Sequence, residues 1–180
     1  MNAAVSRLVT VRRDITQLDV DVVVNAANGT LLGGGGVDGA IHRAAGPSLL
    51  EQCRVIVARE GNCETGHAVI TGAGDMAARH VVHTVGPIWG AEAAELQDRQ
   101  LAACYRRSLA LAAEAGAVSV AFPNISTGVY RFPKHRAAAV AINAVRGFIA
   151  DETDSTVDRV LFCCFDAENE SLYRARLAAG

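Results

Sequence analysis

Residues 33–36 are four consecutive glycines, set between a valine-rich run and a helix-forming segment. No other feature narrows the fold of this chain as much. Glycine loses more backbone freedom on folding than any other residue, so four in a row weaken any regular element. They suit a place where several N–H groups must point one way, or where the backbone must come close to a ligand. The run before them, Val20 to Ala26, reads as a buried strand. The segment after them, Val37 to Ala45, reads as a short helix closed by Gly46-Pro47. A glycine loop feeding a helix start aims the positive end of the helix at its guest. A phosphate or diphosphate is expected there. A plain flexible turn is the alternative, but it needs only one or two glycines.

The rest of the chain supplies the frame for this loop. Further strands are expected over Val5–Val11, His67–Thr71, His80–Val85, Val118–Phe122 and Val157–Phe165. Helices are expected over Ser48–Arg59, Ala93–Ala115, Pro133 to about Ala150, and Glu168–Leu177. In the long helix Leu101, Tyr105, Leu109 and Ala112 recur on one face. Strands alternate with helices, which predicts a three-layer α/β/α sandwich. With 180 residues and no low-complexity linker, one domain over 1–180 is expected.

Composition excludes several classes. Seventeen basic residues against 19 acidic give a net charge of -2, the wrong balance for a general polyanion binder. Aromatic residues are 5% of the chain, too few for single-strand stacking platforms. Nucleic acid is thus not expected as a partner, chemically modified ends aside. No 18-residue apolar run and no signal-peptide pattern occurs, so neither a membrane span nor export is expected. The five cysteines, at 53, 63, 104, 163 and 164, are odd in number and lack CxxC spacing. That favours free thiols in a reducing cytoplasm. The histidines show no finger spacing to a cysteine, so no metal site is expected. Gly34, Gly36 and Gly39 also fit GxGxxG, but a glycine run fits that pattern by chance, and no acidic residue follows at a strand end. GxxxxGK[ST] is absent from the chain.

The segment NAANGTLLGGGGVDGAIHRAAG, residues 25–46, resembles the signature of macrodomains, in particular their MacroD-type hydrolase branch. The resemblance continues through Arg13-Asp-Ile-Thr16, Cys63-Glu-Thr-Gly-His67, His83-Thr-Val-Gly-Pro87 and Pro123-Asn-Ile-Ser-Thr-Gly-Val-Tyr130, and covers nearly the whole chain in order. It implies a mixed central sheet between helices, an ADP-ribose cleft at one end, and no cofactor. It implies that Asp14 and the Ile15 backbone hold adenine, with Phe165 packed against the base; the alternative for Phe165 is a core side chain. Gly35, Gly36 and Val37 would line the distal ribose and phosphates. Ser126, Thr127, Gly128, Val129 and Tyr130 would form a second phosphate loop. Arg13 and Arg131 stand where the family commonly has glycine.

Asn25 and Asn28 flank two alanines at the strand end. Their amides can hold ribose hydroxyls or fix the loop locally. The resemblance gives Asn28 the distal ribose; Asn25, grouped with the ligand-binding residues, is expected to be mainly structural. Asp38 is either catalytic, as in the hydrolase branch, or a favourable charge in a first helical turn. His42, four residues on, shares its helix face and either orients Asp38 or is a core histidine. The activity implied is hydrolysis of ADP-ribosyl esters, meaning O-acetyl-ADP-ribose or proteins carrying mono-ADP-ribose on Asp or Glu. Asp38 would act as general base, or would position the ribose while a substrate phosphate holds the water. A non-catalytic ADP-ribose reader is the competing class.

Overall fold

A computed structural model describes residues 7–180. Its six strands are β1 (Leu8–Val11), β2 (Val22–Ala26), β3 (Ala68–Gly72), β4 (His80–Thr84), β5 (Ser119–Phe122) and β6 (Arg159–Cys163). The five helices are α1 (Gly36–Ala45), α2 (Pro47–Glu60), α3 (Ala94–Glu114), α4 (Lys134–Asp151) and α5 (Ala167–Ala178). The strands form one sheet in the order β1-β6-β5-β2-β4-β3. All neighbours are parallel except β3 with β4, so the sheet is mixed. No helix among the described residues is long and apolar enough to cross a membrane.

Alternation along the strands divides the core into two layers. In β2, Val22 and Val24 belong to the cluster packed under α3, α4 and α5. Val23 belongs to the cluster under α1 and α2. Period two therefore turns Asn25 to the same face as Val23, towards α1. The adjacent Cys163 and Cys164 likewise fall in opposite clusters. On α3, Leu101, Tyr105, Leu109 and Ala112 are all buried against the sheet.

The first and last strands depart most from their expected extents. The part of the first strand expected at residues 5 and 6 lies outside the described residues. The last strand begins at Arg159 and ends at Cys163, short of the Val157–Phe165 expected. It spans the residues that its neighbours can pair: Arg159 lies opposite Ser119, and Cys163 opposite Val11. Phe165 thus lies in a connection beyond the sheet.

The site lies where the sheet opens. β2 pairs with β4 over five residues but with β5 over only two, Val22↔Val120 and Val23↔Ala121. Beyond Val23 the two chains part, one towards α1 and the other towards α4. A crevice at the carboxyl ends of diverging parallel strands is the usual ligand position in open α/β sheets. At the opposite end the same pair is clamped. Asp21 Oδ2 accepts from the Val118 and Ser119 amides at 2.7 and 3.1 Å, and Ser119 Oγ accepts from the Asp21 amide at 2.9 Å.

The Asp21 carboxyl is held below its ordinary range, first by the Val118 amide. Its contribution to stability is present above the unfolded pKa near 4 and fades as pH falls through the lower folded value. Asp21→Ala is expected to lower unfolding free energy by roughly 1–2 kcal/mol at pH 7. Urea titrations of both proteins check this, and the gap between them should narrow below about pH 4.

Candidate functional site

Two loops line the crevice, and both present unpaired backbone donors. Every amide from Gly33 to Asp38 donates to no described residue, and the first turn of α1 has no side-chain cap. Gly36 turns the chain into the helix at φ 57°, a left-handed conformation that glycine adopts without strain. Gly35 is extended, and a Cβ added there would meet nothing within 4 Å. Across the crevice, the amides of Ser126, Gly128, Val129 and Tyr130 also donate to no described residue. Thr127 is tied down instead, its amide and hydroxyl both donating to the Asn124 carbonyl. Successive N–H groups facing one space form an anion-binding concavity that needs no cationic side chain.

The second loop is held in a strained shape. Ser126 has φ 66°, and its buried hydroxyl lies where a Cβ on Gly86 would come within 2.1 Å. Glycine at 86 is therefore a condition for this loop. The Tyr130 carbonyl accepts from Trp89, and Trp89 packs on Phe132 at 4.7 Å. Val129 and Gly128 are exposed at the tip, and Tyr130 is half-buried. Arg131 is exposed, with φ 60°.

Asp38 sits below the first loop and is only 5% exposed. Its Oδ1 accepts from Asn25 Nδ2 at 2.8 Å. Its Oδ2 accepts no hydrogen bond from the described residues and lies beside Gly34, where an added Cβ would be 3.2 Å away and Asn28 Nδ2 only 3.5 Å from that same point. Asn28 spends its amide on the loop: Nδ2 donates to the Gly33 carbonyl, and Oδ1 accepts from Thr30 N and Oγ1. His42 Nε2 is 3.4 Å from Asp38 Oδ1 but makes no hydrogen bond. The bond that orients Asp38 thus comes from Asn25 rather than from His42. The three side chains expected to be catalytic, Asp38, Asn28 and His42, do gather under Gly33 and Gly34.

Asn25 lies behind the other site residues. It is fully buried, and Asp38 and His83 take up its amide nitrogen, so its side chain supports Asp38 from behind and does not face the crevice. Period two along β2 decides this, because Asn25 continues the inward face of Val23. For Phe165 the core alternative is excluded. It is 90% exposed, so it is no core residue, and it stands at the rim, its amide donating to Asn124 Oδ1. Asp14 caps a single 3₁₀ turn, Ile15–Gln17, with Oδ1 accepting from Thr16 N and Oγ1. No described residue donates to its other oxygen, and the Ile15 amide donates to no described residue. Val37 is half-buried against the α1 side of the core.

Gly39 and His83 also shape the site. Gly39 is needed because a Cβ there would lie 2.6 Å from the Gly34 carbonyl, so the chance GxGxxG has a packing reason here. His83 is wholly buried beside Asn25. Its Nδ1 lies 3.1 Å from Asn25 Nδ2 and its Nε2 lies 2.9 Å from Thr71 Oγ1. The sequence shows His83 as a strand residue that opens the stretch His83-Thr-Val-Gly-Pro87, but not its contacts.

Among the described residues one group, His42, Cys53 and His83, brings metal-type ligand atoms within 4.8 Å of one another. The sequence hid it because α1, α2 and β4 each supply one member. The surroundings do not favour an ion. Asn25 and Thr71 engage both ring nitrogens of His83. The Cys53 thiol is pushed up to about 11 by burial and then by the Asp38 charge, which disfavours the thiolate a metal requires.

A family model described as Macro domain matches residues 24–141. An O-acetyl-ADP-ribose deacetylase of Klebsiella pneumoniae is 54% identical over 167 residues, spanning 92% of this chain and 93% of that protein. The Oceanobacillus iheyensis macrodomain with ADP matches at TM-score 0.87 and 42% identity, covering 94% of this chain and 89% of that one. The Trypanosoma brucei macrodomain in complex with ADP-ribose matches at TM-score 0.84 and 38% identity, covering 95% of this chain and 69% of that one.

Burial pushes the His83 pKa from 6.5 down to about 3, with the neighbouring His42 adding to the shift. His42 approaches this ring from α1, Asn25 from β2 with Asp38 behind it, Cys53 from α2 and Thr71 from β3. Between the two pKa values the unfolded chain binds a proton at residue 83 and the folded protein does not. Stability is therefore expected to fall as pH drops from about 6.5 towards 3, by up to about 1.4 kcal/mol per pH unit from this group. Urea unfolding of wild type and His83→Asn between pH 7 and 4 checks it; the variant should show the shallower slope.

Proposed function

This chain belongs to the Macro domain family, and from that premise we propose that it binds ADP-ribose and hydrolyses O-acetyl-ADP-ribose to ADP-ribose and acetate. One observation carries the catalytic part of this reading. A buried carboxylate, Asp38, is held by a hydrogen bond beside the first of two loops whose free amides suit a diphosphate. A carboxylate beside an anion weakens binding, so affinity does not explain it. A reader module gains nothing from Asp38, whereas a hydrolase needs a base near the distal ribose.

The amides of Gly35, Gly36 and Val37 receive the diphosphate from one side, and those of Ser126, Gly128, Val129 and Tyr130 from the other. Thr127 braces the second loop. Tyr130 covers the distal ribose, and Asn28 fixes the loop against which the ribose lies. The free Asp14 oxygen accepts from the adenine amino group, the Ile15 amide supports the base edge, and the exposed Phe165 ring packs on the base.

In the reaction, a water beside Asp38 Oδ2 gives up a proton as its oxygen attacks the acyl carbonyl carbon. The tetrahedral intermediate collapses with cleavage of the bond to the ribose oxygen. That oxygen takes the proton back from Asp38, and the released carboxylic acid gives its own proton to solvent to become the carboxylate. His42, next to Asp38, is placed to tune it. An Asp or Glu side chain esterified to the distal ribose presents the same bond, so mono-ADP-ribosylated proteins form a second substrate class. This activity is proposed for the cytoplasm.

Free ADP-ribose should raise stability by about 2.7 kcal/mol at 100 times its Kd, read as a rise in Tm. Gly35→Glu should fold normally, because residue 35 is extended with open space around it, and should lose this response. Asp38→Ala should lower single-turnover hydrolysis about 10²–10⁴-fold while calorimetric ADP-ribose affinity is retained or rises. Full activity in Asp38→Ala would instead leave the water to a substrate phosphate. Equal losses of rate and affinity would favour the reader.

A further inference from the structure

We propose that His83 is a positioning residue: from β4 it holds the Asn25 amide, and through that amide it fixes the rotamer of Asp38 so that Oδ2 faces the loop above. The inference rests on the catalytic reading of Asp38.

Sheet register brings the parts together. Asn25 and His83 are direct partners across the parallel pair β2–β4 and turn to the same face, under α1. Asn25 Nδ2 lies 2.8 Å from Asp38 Oδ1 and 3.1 Å from His83 Nδ1. The amide orientation is set by Asp38, since the reverse would press a carbonyl oxygen against a carboxylate oxygen. The nitrogen therefore faces both neighbours, and His83 Nδ1 must accept. The remaining ring proton lies on Nε2 and goes to Thr71 Oγ1 at 2.9 Å. The Thr71 hydroxyl donates in turn to the Gly72 carbonyl at 2.9 Å. The chain of donors runs in one direction along the ring and ends on the backbone of β3.

Few other side chains could serve at position 83. An apolar residue would fill the volume but leave one amide hydrogen of Asn25 buried and unpaired. A carboxylate would set a second negative charge near Asp38. A lysine would pair with Asp38 and take it out of use. A neutral acceptor anchored at its far end leaves Asp38 ionised and points Asn25 at it. The buried Asn25 Oδ1, which has no partner, is the polar group sacrificed to that orientation.

Two variants separate positioning from packing. In His83→Asn the side-chain oxygen reaches the place of Nδ1 and keeps the acceptor. In His83→Gln the amide reaches the place of Nε2 and keeps the Thr71 contact, but the acceptor is lost. Turnover of O-acetyl-ADP-ribose, KM, ADP-ribose affinity and Tm are measured for each, beside Asp38→Ala and the double variant Asp38→Ala/His83→Gln. The expected result is a kcat about 10–100-fold lower in His83→Gln with KM and affinity little changed, largely recovered in His83→Asn whatever the order of their Tm values. Added to Asp38→Ala, His83→Gln should cause little further loss, because it acts through that carboxylate.

Turnover that follows Tm across the two variants, or an unchanged kcat in His83→Gln while Asp38→Ala is impaired, overturns the positioning role and leaves the function standing. Full activity in Asp38→Ala removes the catalytic reading, and the inference with it. Nitrogen-15 spectra of histidine-labelled wild type give an independent check. His83 should be the Nε2–H tautomer from pH 5 to 8, and a proton on Nδ1 overturns the proposal.

Discussion

The hydrogen bond from Asn25 to Asp38 links the sheet to the crevice. It joins the end of β2 to the first turn of α1, the two elements that the glycine run separates in sequence. It also holds a carboxylate out of solvent beside a set of free amides, a position from which its charge would otherwise drive it. The loop geometry and the packing of Gly39 under the Gly34 carbonyl are compatible with that one contact. A larger residue at 34 would crowd Asp38, and one at 39 would push the loop away from the helix.

The proposed recognition of an anion by backbone accounts for a composition that looks wrong for a phosphate binder. The chain carries a net charge of -2, and its crevice is lined by N–H groups, with no row of arginines. Amides fixed by φ/ψ angles lose little entropy on binding and are shaped to one ligand geometry. They also leave room for Asp38, whose charge a cluster of basic side chains would neutralise. The strain at Ser126 and the fit of its hydroxyl against Gly86 belong to the same solution, because they hold the second loop open towards the first.

Much of this was legible along the chain. The valine-rich run Val20–Ala26 reads as a buried strand, and the glycines after it suit a turn or a bound group. Asp38 and His42 had to share a helix face, and Cys163 and Cys164 had to part, because helix and strand periods allow nothing else. Phe165 illustrates the limit. An aromatic residue after an apolar run reads as part of the strand, yet the strand ends where β1 and β5 cease to pair with it. Length of pairing is a property of neighbours, and no single strand contains it.

The sequence by itself determined the element types, their order, the anion-seeking loop and the carboxylate beside it, since each depends on residues close together in the chain. The tertiary structure alone decided that Asn25 backs Asp38, that His83 backs Asn25, and that Cys53 lies against the same ring. Residues 25, 38, 53, 71 and 83 meet only after β4 has paired beside β2 and α1 and α2 have folded over that face. Hydrogen bonds are directional and short-ranged, so which polar groups find one another depends on register and packing between distant segments. Local pattern fixes which face a side chain occupies, and only the folded neighbours fix what it touches there.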